Sequence, residues 1–228
     1  MSAPFDLILI EDAHLSRLDP IATARPAYAV TCGSRRLIDW MSDLSPRAIY
    51  GRVRPHLRQI QKFDFPFISA DESAADAARL YLNARIIPSR TQIERLRNWI
   101  ASGRPGAVLD GDELLAAYLP AGQASPFDGA FTASEAASLP RLDIALAAFR
   151  YPHDVVRANM EIIRENLEHR IASGGYKQLQ DGVFAAEGAK LGPHLVVETT
   201  QGPIILEENA SIGPFCLLRG PLYIGKGT

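Results

Sequence analysis

Residues 185–228 repeat, and a repeat constrains architecture more tightly than any single motif. Residues 187–193 (EGAKLGP) match 208–214 (ENASIGP) at an offset of 21, and 202–210 (GPIILEENA) match 220–228 (GPLYIGKGT) at an offset of 18. Ala185, Leu191 and Val197 stand six apart, and Leu206, Ile212, Leu218 and Ile224 keep the same step. An aliphatic residue at every sixth position, with small, acidic or turn-forming residues between, is the hexapeptide signature of a parallel β-helix. Three hexads close one triangular coil whose aliphatic side chains fill a narrow interior, and Gly or Asn supplies the backbone angles at the corners. The three extra residues of the longer offset fall in the polar segment 198–201, a loop inserted between coils. The pattern stops at Thr228 in mid-coil, which implies that the natural chain continues, because a coil needs neighbours on both sides.

The 228 residues suffice for one ordinary domain and the start of a second. No apolar run reaches the roughly 20 residues needed to span a membrane, and the N-terminus lacks the plan of a signal peptide, so the sequence predicts a cytoplasmic protein with no membrane partner. Cys32 and Cys216 show no metal-ligand spacing and read as reduced and structural; the five histidines are scattered, which argues against zinc. The net charge of −2 conceals an asymmetry: residues 17–62 hold nine basic side chains against three acidic ones. That excess suits either a phosphate-binding surface or a solvated face. Nucleic acid is the weaker reading and is not expected as a partner, since there is no basic run and no interleaving of aromatics.

The aliphatic run at residues 7–10 predicts a strand buried on both faces of a parallel sheet. Ser34 is a plausible N-cap for a helix carrying Leu37, Ile38 and Met41 on one face. Residues 48–53 read as a second strand, 56–62 as a short helix, and the alternation at 80–86 as a third strand with one face toward the core. Ser89 and Gln92 form a capping-box pair ahead of a helix ending at Gly103, and Asp110-Gly111 signals a hairpin. Residues 123–140 read as loop and short helix. Residues 152–173 form the clearest helix, with Val155, Val156, Ile162, Ile163, Leu167 and Ile171 as an apolar stripe and Gly174-Gly175 as its stop. The predicted organisation is an α/β domain with its linking helix at residues 1–174, then a truncated hexapeptide-repeat domain at 183–228.

This layout resembles the bifunctional UDP-N-acetylglucosamine pyrophosphorylases/glucosamine-1-phosphate acetyltransferases and related sugar nucleotidyltransferases. The segments 7–40 (LILIEDAHLSRLDPIATARPAYAVTCGSRRLIDW), 54–57 (RPHL) and 82–85 (LNAR) look more specifically like the divergent bacterial branch of that family. The resemblance implies a Rossmann-like, mostly parallel sheet followed by the start of a left-handed parallel β-helix. It further implies a nucleoside triphosphate of the UTP kind and a sugar 1-phosphate as substrates, Mg2+ as cofactor, and a homo-oligomer that is a trimer at full length.

In the better-known branch the first strand leads into a G-x-G-T-R loop whose backbone N–H groups cradle phosphates. Here Glu11-Asp12-Ala13 stands instead, and Arg25 takes the place of a basic residue of that loop. Arg25 and Arg85 are therefore the expected catalytic phosphate contacts, with Glu11, Asp12, Gly33, Arg35, Arg54 and Asn83 as further nucleotide-binding candidates. Arg85 stands where the family carries its magnesium-binding Asp, and a guanidinium cannot ligate a cation. Three readings stay open: Arg85 contacts phosphate directly, Glu11, Asp12 or Asp110 recruits the metal, or the domain is a degenerate sugar-nucleotide-binding or scaffold module for a hexapeptide acyltransferase.

Overall fold

All six residues of strand β1 (Phe5–Ile10, FDLILI) are buried. A strand covered on both faces must lie inside a sheet with further layers on either side. The computed structural model describes residues 4–69, 76–127 and 130–228, and its contacts define two units, Met1–Thr31 with Arg35–Val156, and Cys32–Ser34 with Arg157–Thr228.

After β1 come a two-stranded ribbon, β2 (Thr31–Cys32) and β3 (Arg35–Arg36), the short helix α1 (Met41–Leu44), β4 (Ala48–Arg52), α2 (Arg58–Asp64) and β5 (Ile68–Ser69). Then follow β6 (Ala78–Asn83), α3 (Arg90–Ser102) and the hairpin of β7 (Gly106–Asp110) with β8 (Glu113–Leu119). Six of these strands form one sheet in the order β5-β4-β1-β6-β8-β7. The first four are mutually parallel, and β8 joins antiparallel to both neighbours. This is a mixed α/β layer with a largely parallel sheet, and β1 sits at its centre with Ile10 level with Arg52 on one side and Asn83 on the other.

Several local expectations meet their counterparts. Ser89 Oγ accepts the Gln92 N–H at 3.2 Å and caps α3, which ends at Gly103 in the left-handed region. Gly111 turns the β7–β8 hairpin at φ +60°. Two others are corrected. The strand around residue 82 is buried on both faces, because β1 and β8 flank it in the sheet interior. Ser34 caps no helix: at φ +73° it shares the ribbon turn with Gly33, and the following helical turn Leu37–Trp40 is capped by Asp39, which accepts the Arg36 N–H at 2.8 Å. In the segment 123–140, a single 3-10 turn (Glu135–Ser138) occurs among the described residues, and residues 128–129 lie outside them.

Helix α4 (Pro152–Ala172) begins in the first unit and continues in the second. Its expected apolar stripe is corrected at Val156, which is exposed, whereas Asn166 is fully buried. The reason is a polar clasp within the second unit: Asn159 Oδ1 accepts the Gly33 N–H at 2.8 Å and Asn166 Nδ2 donates to the Gly33 carbonyl at 2.9 Å. Gly33 is needed there twice over, for its φ of +59° and because a Cβ would stand 2.5 Å from Ile162 Cγ1.

Strand β9 (Lys177–Gln180) pairs antiparallel with β10 (Val183–Ala185). Next come β11 (Lys190–Leu191), β12 (Val196–Glu198), β13 (Ile204–Leu206), β14 (Ser211–Ile212), β15 (Leu217–Arg219) and β16 (Leu222–Ile224). They pair in parallel as β10-β13-β16, β11-β14 and β12-β15. The register sets Val183 opposite Ile204 and Ile204 opposite Leu222, which are the two sequence offsets. Leu191, Val197, Leu206, Ile212, Leu218 and Ile224 all belong to one apolar cluster with Val183, Ala185, Ile204 and Ala210. No helix among the described residues is long and apolar enough to cross a membrane.

Gly192 lies against the next layer, since a Cβ there would stand 2.8 Å from the Gly213 carbonyl carbon, whereas a Cβ at Gly213 meets nothing within 4 Å. Gly192→Ala is therefore expected to cost about 1–3 kcal/mol through overpacking, and Gly213→Ala less than about 0.5 kcal/mol, in urea unfolding of the 228-residue chain.

Candidate functional site

In a parallel sheet, ligands bind beyond the carboxyl ends of the strands. Continuing the β1–β6 register past Ile10 and Asn83 brings Asp12 beside Arg85, and the antiparallel β8 delivers Glu113 to the same end of the sheet. Arg85 is fully buried there. Its Nε and Nη2 donate to the two oxygens of Asp12 at 2.9 and 2.6 Å, Nη2 donates to Glu113 at 2.9 Å, and Nη1 donates to the Phe149 carbonyl at 2.6 Å. Burial disfavours the guanidinium charge, but the bonds to Asp12 and Glu113 outweigh it and raise the Arg85 pKa above the usual arginine value. Asn83, also fully buried, donates to Asp12 at 2.8 Å and to the Leu114 carbonyl at 3.1 Å, while its own oxygen accepts the Arg85 N–H.

These placements correct the expected roles. Arg85 and Asn83 offer no surface to a phosphate because carboxylates and carbonyls already occupy their donors. Gly33 has both backbone groups engaged by α4 and is no phosphate cradle. Arg35 stacks on Trp40 with 4.4 Å from its guanidinium carbon to the ring centroid. Arg47 pairs bidentately with the buried Asp6. Arg25 is exposed, and its carbonyl accepts from Arg54.

The expected metal residues do not fit magnesium. Asp12 accepts four donors, the last being the His14 N–H at 3.2 Å, so every carboxylate lone-pair direction is used. Glu11, whose side chain is 2% exposed, accepts the Ala27 N–H at 2.9 Å and the N–H and Nε of Arg54 at 2.8 and 3.1 Å. Asp110 pairs with Arg150 at 2.7 Å. A pocket of about 250 Å³ beside β1 is lined by Glu11, Asp12, Asp112 and Glu113, yet no group of three His, Cys, Asp or Glu among the described residues suits a metal ion.

On the other side of the β1 terminus the chemistry reverses. A cleft of about 980 Å³ opens at the carboxyl ends of β1 and β4, beside Ile68 of β5, and is lined among the described residues by Arg52, Arg54, Arg58 and Lys62, with Glu11 as its one carboxylate. Its floor depends on Gly51, where a Cβ would stand 2.5 Å from Gln61 Oε1. Gln61 is thereby able to lie over β4, donating to the Gly51 carbonyl at 3.1 Å and accepting from Tyr28 Oη at 3.0 Å. Burial, with the nearby Glu11 and Asp64 charges, pushes the Tyr28 pKa well above the usual phenol range and keeps it a donor. The exposed side chains of Arg58 and Lys62 make no hydrogen bond or ion pair among the described residues. Their spacing of four on α2, which puts both on one face, was the local signal for this wall.

A largely parallel α/β sheet with a basic cleft at its strand ends defines a domain built to hold phosphorylated ligands. Residues 7–173 match the sugar nucleotidyl transferase family, and the chain belongs to that family. No curated protein matches it.

Removal of the Arg85 side chain would leave Asp12 charged and buried. Arg85→Ala is expected to lower stability by about 3–5 kcal/mol, against no more than about 0.5 kcal/mol for Arg25→Ala, measured by denaturant titration.

Proposed function

We propose that the first unit is a sugar-1-phosphate nucleotidyltransferase acting on a nucleoside triphosphate, with UTP as the preferred donor. The observation that carries this reading is the basic cleft at the ends of β1 and β4, within a chain of the sugar nucleotidyl transferase family. An oxygen of the sugar phosphate attacks the α-phosphorus of the triphosphate, a new P–O bond forms, and the bond to the bridging β-oxygen breaks to release pyrophosphate. The nucleophile is already an anion, so no general base is needed. Positioning and charge stabilisation carry such chemistry. Arg58 and Lys62 bind phosphate oxygens, and Arg54 shapes the wall while held by Glu11 and the carbonyls of Ala22 and Arg25.

The second unit is, in this reading, the start of a left-handed parallel β-helix, supported by its three parallel strand stacks and their common apolar cluster. It supports assembly into a homotrimer. The saturated Asp12 favours a second reading, a domain that binds a sugar nucleotide without turnover as a scaffold for an acyltransferase.

Calorimetric titration with UTP and UDP-N-acetylglucosamine, together with a pyrophosphate-release assay, separates the two. Turnover is expected; binding without pyrophosphate release would favour the scaffold. Arg58→Ala and Lys62→Ala are each expected to weaken UTP binding about tenfold while leaving unfolding unchanged, and Arg141→Ala, exposed and outside the cleft, to leave binding unchanged. Equal affinities for all three variants would overturn the assignment of the cleft.

A further inference from the structure

We infer that this cleft takes its nucleoside triphosphate free of divalent cation, with arginine and lysine side chains supplying the positive charge that a metal would bring. The inference rests on the reading of the cleft as a nucleotide site.

Magnesium requires oxygen ligands near octahedral geometry, and proteins hold the magnesium of a bound nucleotide through one or two carboxylates. Among the described residues only Glu11 brings a carboxylate to the cleft, and three N–H groups occupy it, two of them from Arg54. To bind a cation, Glu11 would have to release the cleft wall. Asp12, next in sequence, is saturated by Arg85, Asn83 and the His14 N–H, and a second cation beside it would be repelled by the guanidinium already 2.6 Å from its oxygen. Glu113 is shared between Arg17 at 3.2 Å and Arg85 at 2.9 Å. Asp112 is the one carboxylate of these strand ends without a bond among the described residues, and it lines the small acidic pocket rather than the basic cleft. Among the described residues, each potential ligand is thus committed to a protein donor or placed elsewhere.

The cationic side is built to match. Among the described residues, four basic side chains line the cleft against one neutralised carboxylate. A triphosphate stripped of magnesium carries more negative charge than its metal complex and pairs better with such a wall, where guanidinium forks match phosphate oxygens. Added magnesium then competes with the protein for the same oxygens.

The test uses the 228-residue chain and UTP. Calorimetric titration in excess EDTA is expected to give an affinity equal to or tighter than in excess MgCl2, and electron paramagnetic resonance of Mn2+ with UTP and protein is expected to show no protein-dependent change in the metal signal. The Arg58→Ala/Lys62→Ala double variant should lose at least about tenfold in affinity in EDTA. Binding at least about tenfold tighter with MgCl2 than with EDTA would overturn the inference and leave the nucleotide site standing. No UTP binding in either medium would overturn the nucleotide reading and the inference together. A double variant that binds UTP in EDTA as well as the parent would overturn the assignment of charge to these residues.

Discussion

The buried guanidinium of Arg85 is the interaction on which the functional end of the sheet depends. An isolated charge in such a place costs several kcal/mol, and only good geometry with every donor satisfied makes it tolerable. Arg85 answers that cost with four side-chain bonds that join four separate segments: its own position after β6, Asp12 after β1, Glu113 at the start of β8 and the carbonyl of Phe149. The parallel register of β1 and β6 makes the first pairing, and the antiparallel turn of β7 into β8 makes the second. Stability and site architecture are consequently one problem here.

The same commitment of charge shapes the connection that follows β1. A glycine-rich loop would hold phosphate with backbone N–H groups; in this chain Glu11 accepts the N–H of Ala27 and two donors of Arg54, while Arg54 reaches the carbonyls of Ala22 and Arg25. Residues 11–27 are thus fastened to the protein by side chains. What is left for a ligand is the helical wall, where Arg58 and Lys62 face the cleft from α2.

How much of this was legible from sequence follows from the range of each interaction. The capping of α3 by Ser89, the Asp110-Gly111 hairpin and the hexad spacing are local, so composition within a few residues announces them. The fate of the arginines is not local. Arg47 finds Asp6 41 residues away, Arg85 finds Asp12 at a separation of 73, and Arg17 finds Glu113 at 96. A charge count over residues 17–62 contains Arg17, Arg47 and Arg54 but omits Glu113, Asp6 and Glu11, which neutralise them. Helix α4 shows the complementary difficulty: Asn159 and Asn166 interrupt an apparently ordinary amphipathic pattern, and their purpose is visible only when the Gly33 turn lies against them.

The unequal spacing of the C-terminal strands also has a consequence for length variation. From Glu198 to Ile204 the chain makes its corner in five intervening residues, whereas from Arg219 to Leu222 it makes the equivalent corner with two, and both corners return strands to the same parallel ladder. The parallel ladder therefore fixes which residues stand opposite one another and is indifferent to the length of chain between the strands. Insertions at that corner cost loop entropy, which grows only slowly with length, while one residue added within any strand would rotate all later side chains out of the core. Evolution and protein engineering accordingly have a permissive coordinate on this scaffold at the exposed Thr200 and Gln201 of that corner, along which new surface can be grown without renegotiating the interior.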